Sequence, residues 1–281
     1  MRARYCLIVM LVAQVLGGMA SVWMAESIPL DPLFLIAVLL PWALFASVMW
    51  LVAGDRLAAL RADWAKPSAA AWWLMLRLFP FVLLAEYGLG IELEWFGAHY
   101  WEGLYRYVSN DGIVLPSGGL LSWLLWGAAL VVVAPVCEEW FFRGLLLRRW
   151  QAKWGAVPAL LLTSALFGSV HPAVLPQFVL GMVCGALLIK SGSLWPAIGL
   201  HALNNLLACG LMLVFPRDMS LALLDQLHPF AFIAALIGLT VLVAWLRRVT
   251  PGLRAAVPVE MFRFPARAGE VAQQPELSSV S

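Results

Sequence analysis

Residues 118–147 read GGLLSWLLWGAALVVVAPVCEEWFFRGLLL, and this stretch decides the architecture. From Gly118 to Cys137 it is almost free of polar side chains. A transmembrane helix needs about 20 mostly apolar residues, so the run is long enough to cross a bilayer. Glu138, Glu139 and Arg143 then follow inside the same apolar stretch. Ionisable groups at membrane depth each cost about 2.5–3.5 kcal/mol on insertion scales, and they persist where they face a polar cavity or a partner. These three residues are the first candidates for function.

The whole chain has the same character. Its 281 residues are 63% hydrophobic and 12% charged, with 15 Trp and a mean hydropathy of +0.88. A water-soluble domain of this length cannot hide that much apolar surface. The expected fold class is all-α, a polytopic membrane helix bundle of about eight transmembrane helices. The spans fall near 5–24, 32–53, 70–91, 118–147, 157–171, 174–190, 194–215 and 229–246. The run from Tyr5 to Met24 exceeds the about 7–15 apolar residues of a signal peptide and is read as a span.

Loop charges orient the bundle. With the N-terminus inside, Arg2, Arg4, Arg56, Arg61, Lys66, Arg148, Arg149, Lys153, Lys190, Arg247, Arg248 and Arg254 fall on the cytoplasmic side. The opposite side receives Arg106 and Arg217 among Glu26, Asp31, Glu92, Glu94, Glu102, Asp111, Asp218 and Asp225. Positive charge on short loops stays inside, so both termini are expected in the cytoplasm. The formal net charge of +2 carries no sign of a nucleic-acid partner. Cys6, Cys137, Cys184 and Cys209 lie within spans without CxxC spacing and read as buried thiols.

The expected organisation is residues 1–117 as three N-terminal spans with an outer interfacial loop, 118–212 as a core, 213–248 as the last span, and 249–281 as a disordered cytoplasmic tail. Residues 92–117 hold Trp95, Phe96, Tyr100, Trp101, Tyr105 and Tyr107, which suits a loop at headgroup level. His99 and His228 at that boundary are read as solvated or interfacial. Arg77 and Glu86 of span three are read as interface or interhelical residues.

Three polar patterns sit on successive spans. In Glu138-Glu139-x-x-x-Arg143, Arg143 is one turn from Glu139 and can pair with it. Glu138, rotated by about 100°, points elsewhere and is available as a general base. In Phe167 to His171, Pro172 stops the helix, and Phe167 sits one turn back to wall a cavity. In His201-Ala202-Leu203-Asn204-Asn205, His201 and Asn205 point into one space, with Asn204 as a near alternative. A carboxylate and an imidazole can deprotonate a water, and a second imidazole with an amide donor can stabilise an oxyanion. Depths agree only roughly. At about 1.5 Å per residue, Glu138 comes out about 15 Å, His201 about 10 Å and His171 about 20 Å from the cytoplasmic end.

These patterns resemble the EExxxR, FxxxH and HxxxN/D motifs of the CPBP family of intramembrane proteases, also called the CAAX-protease or Abi family, over about residues 118–212. The resemblance implies Glu138 as the catalytic carboxylate, His171 as its partner on the water, His201 and Asn205 as the oxyanion site, and Glu139, Arg143 and Phe167 as support. The family is described both as metal-dependent and as glutamate-type. A zinc ion, if present, would take Glu138, His171 and His201; the metal-free mechanism is favoured, since a Glu–His pair already activates water. The expected function is an intramembrane endopeptidase that cuts a protein near its membrane-anchored or C-terminal sorting segment, in the lipid bilayer of a bacterial inner membrane. A non-catalytic membrane scaffold and a proton-coupled carrier are the alternatives, and proton flux without cleavage would favour the carrier.

Overall fold

The computed structural model describes residues 61–109, 119–214 and 219–255. The spans expected at 5–24 and 32–53 lie outside the described residues. A 3-10 turn, Arg61–Trp64, leads into α1 (Ala69–Tyr100), α2 (Glu102–Ser109), α3 (Leu120–Trp154), α4 (Ala156–Ser169), α5 (Val174–Ser191), α6 (Trp195–Val214) and α7 (Leu221–Ala255). There is no strand among the described residues. Five helices, α1, α3, α5, α6 and α7, are long and apolar enough to cross a membrane, and α4 is a shorter apolar helix. The chain is an integral membrane protein, all-helical over its described residues.

The bundle is built around α5. Leu180, Val183, Cys184, Leu187 and Leu188 are fully buried, and α5 packs on α1, α3, α4, α6 and α7. The other spanning helices turn Leu124, Leu206, Ile233 and Leu236 outward, as lipid requires of a surface that water does not wet. Cys137, Cys184 and Cys209 are buried and free, as read from their positions in the spans.

Helix α1 and helix α7 meet at backbone distance. A Cβ on Gly88 would stand 2.6 Å from the Ala235 nitrogen, and one on Gly238 would stand 2.5 Å from the Ala85 nitrogen. Small residues at such crossings let helices in lipid gain close van der Waals contact. The pair therefore forms a rigid wall whose register cannot slide.

At one end, the 3-10 turn clamps two helices. Arg148 of α3 forks onto Asp63, with Nη2 at 2.6 Å and Nε at 3.2 Å, and the Asp63 carbonyl accepts from the Leu194 N–H at 2.7 Å. Burial pushes the Asp63 carboxyl above the usual range, and Arg148 opposes that shift. Arg148 and Leu194 thus mark one level. Turns at Gly155 (φ 84°) and Gly192 (φ 69°) return the chain at this end, in a backbone region that glycine enters freely.

That level resolves the depth mismatch. Helix α3 does not stop at Leu147 but runs on to Trp154, so α4 starts about 9 Å below Arg148. His171 then lies about 13 Å above the mark, beside Glu138 at about 15 Å and His201 at about 10 Å.

Two boundaries differ from expectation. Residues 92–100 and 102–109 are helical rather than a loop, because α1 is knit to the start of α7: Trp95 stacks on His228 at 3.8 Å, and Trp95 Nε1 donates to Asp225 at 2.9 Å. His228 meets Glu92 at 2.8 Å and His99 meets Asp225 at 3.2 Å, so both histidines have carboxylate partners. Helix α7 continues to Ala255, past Val249 and through Pro251, because Leu246, Val249 and Leu253 pack against the Leu147 and Ala156 cluster. Residues 256–281 lie outside the described residues.

Candidate active site

Helix α3 contains two π-helical stretches, Ala129–Val133 and Trp140–Leu147, around the six-residue α-helical segment Ala134–Glu139. Such widened turns are frequent at functional sites. Here they bracket the paired glutamates. Glu139 is fully buried and holds Arg143 Nη1 at 2.9 Å, the predicted one-turn pair. Arg143 is itself buried, with its guanidinium 4.3 Å from the centre of the Phe167 ring. Gly181 of α5 leaves it room, since a Cβ there would stand 3.2 Å from Arg143 Nη2.

Glu139 also reaches across to α6, where its Oε1 lies 2.9 Å from His201 Nδ1. A carboxylate only accepts, so this contact places a proton on Nδ1. His171 sits in the turn after α4, and its Nδ1 lies 2.7 Å from the Phe167 carbonyl, which likewise places the proton on Nδ1. Gly168 allows that turn to form against α5, because a Cβ there would stand 2.5 Å from the Val174 carbonyl oxygen. Both imidazoles therefore turn Nε2 towards one point.

Glu138 occupies that point. Its Oε2 is 3.8 Å from His171 Nε2 and 3.8 Å from His201 Nε2, and it makes no hydrogen bond. This spacing is too long for direct bonding and short enough for one water to bridge. Glu138, His171, His201, Asn204 and Asn205 line a cavity of about 370 Å³, which Leu130, Gln177 and Met212 help to enclose. Phe167 is fully buried behind the rings, 4.6 Å from His171 and 5.7 Å from His201 between centroids, so it braces both rather than facing the cavity.

The two asparagines differ. Asn205 Nδ2 donates to the Leu130 carbonyl at 2.9 Å, within the first π-helical stretch, which leaves its second hydrogen available. Asn204 is more deeply buried, and its Oδ1 has no partner. Glu86 of α1, expected as an interface or interhelical residue, keeps both its carboxylate oxygens buried without a hydrogen bond. Spacing within one helix carries no sign of that placement.

The donor types around Glu138, one oxygen and two nitrogens, are those zinc takes. Their arrangement is another matter: among the described residues no three His, Cys, Asp or Glu side chains form a group that could hold a metal ion.

Residues 120–207 match the family model described as type II CAAX prenyl endopeptidase, Rce1-like. No curated protein and no solved structure matches the chain. The matched segment contains the buried glutamate pair, the α4 turn and the His201 helix that converge on the cavity. Over residues 120–207, the chain is thus similar to the type II CAAX prenyl endopeptidases.

Proposed function

We propose that this protein is an intramembrane endopeptidase that hydrolyses a peptide bond near the membrane-anchored or C-terminal end of a protein substrate, with Glu138 as its base. One observation carries the reading: Glu138 lines the cavity with its Oε2 free of hydrogen bonds and 3.8 Å from two imidazole nitrogens. A water bridging Glu138 and His171 gives one hydrogen to each acceptor and turns its lone pair to the scissile carbonyl. Glu138 removes a proton as the oxygen–carbon bond forms. The oxyanion then takes hydrogen bonds from His201 Nε2 and the second Asn205 N–H.

For His201 to donate at Nε2 while Nδ1 donates to Glu139, it must carry both ring protons, with Glu139 as counter-ion. Arg143 in turn orients Glu139. Glu138 returns its proton to the leaving amine as the carbon–nitrogen bond breaks. In this reading every step is carried by these side chains, and none runs through a metal. The basic end of the bundle, with Lys66, Arg148, Lys153, Lys190 and Arg248, is assigned to the cytoplasm, with both termini on that side. The Ala-, Leu-, Trp- and Arg-rich composition supports a bacterial inner membrane.

Purified protein in lipid nanodiscs should be offered an S-farnesylated Cys-Val-Leu-Ser peptide and an unprenylated peptide ending in an apolar anchor. Mass spectrometry should find one cut, upstream of the C-terminus, in at least one of them. Two intact peptides would contradict the reading.

A further inference from the structure

The catalytic groups stand at one depth, and the cavity continues from them in a single direction. Glu138, His171 and His201 lie about 10–15 Å above the level of Arg148 and Leu194, which marks the basic end. Towards that end, the position one turn from each of them is filled. Phe142 is one turn from Glu138, Phe167 from His171 and Ala197 from His201, and all three are fully buried. Phe142 and Phe167 meet edge to face with centroids 5.1 Å apart, and the Arg143 guanidinium covers Phe167 at 4.3 Å. At the packing density of a protein interior, this floor leaves no passage for a peptide.

Away from the basic end, the same helix faces line the cavity. Ala134 and Leu130 follow one and two turns from Glu138, and Asn205, Ala208 and Met212 follow from His201. Leu130 and Met212 come out about 27 Å above the mark, within a hydrocarbon core of about 30 Å. Val108 adds to this wall, and its helix α2 lies just after the acidic end of α1. Among the described residues, the wall beyond the catalytic groups carries no Asp, Glu, Lys or Arg. The rise from Glu138 to Leu130 is about 12 Å, enough for about 3–4 residues of extended chain.

We propose that substrate enters this cavity from the acidic end of the bundle, as an uncharged apolar segment of a polypeptide on the extracytoplasmic side. This rests on the endopeptidase reading and its orientation, and deepens it by naming a substrate class. The substrate is the apolar anchor region of an exported protein, not a prenylated tail presented from the cytoplasm. A charge in the stretch that fills the wall has no partner there and is rejected.

The test reads access from each side separately. Met212→Cys, Ala208→Cys, Ser220→Cys and Ser68→Cys are made in a cysteine-free background. Right-side-out and inverted membrane vesicles are treated with a maleimide on polyethylene glycol, which does not cross the bilayer. The protein is then moved to nanodiscs and assayed on the anchored peptide that wild type cuts, each variant against its own untreated sample. Reagent on right-side-out vesicles should label Ser220→Cys, and should label Met212→Cys and Ala208→Cys with loss of most of their cleavage. Reagent on inverted vesicles should label Ser68→Cys and leave its cleavage unchanged. A second arm needs no variant: wild type is offered the same peptide with a single Asp at successive positions. Asp within about four residues of the cut, on at least one side, should abolish cleavage. Block of Met212→Cys or Ala208→Cys from inverted vesicles only, full cleavage by either once labelled, or tolerance of Asp at every position would overturn the proposal and leave the endopeptidase reading standing. Absence of cleavage by untreated wild type would overturn both.

Discussion

At the scale of single residues, the site is a set of acceptors and donors held in place by a second layer of bonds. Glu139 serves Arg143 and His201 at 2.9 Å each, so its charge is committed twice. Glu139→Gln would leave Arg143 buried beside a neutral amide, and breaking a buried pair costs about 3–5 kcal/mol. A clear drop in the detergent melting temperature is expected, together with lost activity. A variant that melts like wild type would show that the pair does not carry stability. His201→Ala and Asn205→Ala each remove one oxyanion donor, and turnover should fall by about 10²–10³ with substrate affinity nearly intact. Affinity that falls as far as turnover would contradict that role. Chelator-insensitive wild-type activity, with no zinc retained in elemental analysis, is the matching expectation for a metal-free site. Stoichiometric zinc lost in both His171→Ala and His201→Ala would reverse it.

At the scale of elements, two devices set the geometry, and each can be broken separately. The Asp63 and Arg148 fork ties the 3-10 turn to α3 and, through Leu194, to α6. Arg148→Met should destabilise the protein by about 3–5 kcal/mol, and adding Asp63→Leu should recover most of it, because an apolar pair needs no partner. Failure of the double variant to recover would place the loss elsewhere. The α1–α7 contact is tested by Gly238→Leu, whose side chain meets backbone and should destabilise by at least about 1–3 kcal/mol. These elements also show what the chain discloses of itself. The one-turn pair Glu139–Arg143 was legible because both residues share a helix. The Glu139–His201 bond was not, since it depends on how two helices face each other across π-helical turns. The continuation of α7 was hidden because Pro251 and the arginines mask the apolar stripe of Leu246, Val249 and Leu253.

At the scale of the whole molecule, apolar length and charge asymmetry carried the fold class, and five described helices are long enough to span. The two ends differ in charge, with Arg148, Lys153 and Lys190 at one and Glu92, Glu102 and Asp225 at the other. In a cysteine-free background, a membrane-impermeant thiol reagent applied from outside should label Ser220→Cys and spare Ser68→Cys. The reverse pattern would invert the assigned orientation. The central claim is that this bundle encloses a peptidase whose base is Glu138. It is tested most directly by comparing wild-type and Glu138→Gln protein, both purified in nanodiscs, on one peptide that wild type cuts. The account predicts that Glu138→Gln keeps the wild-type melting temperature and produces no cleavage, because Gln keeps the shape and cannot take the proton. Cleavage at the wild-type rate by folded Glu138→Gln protein would contradict it.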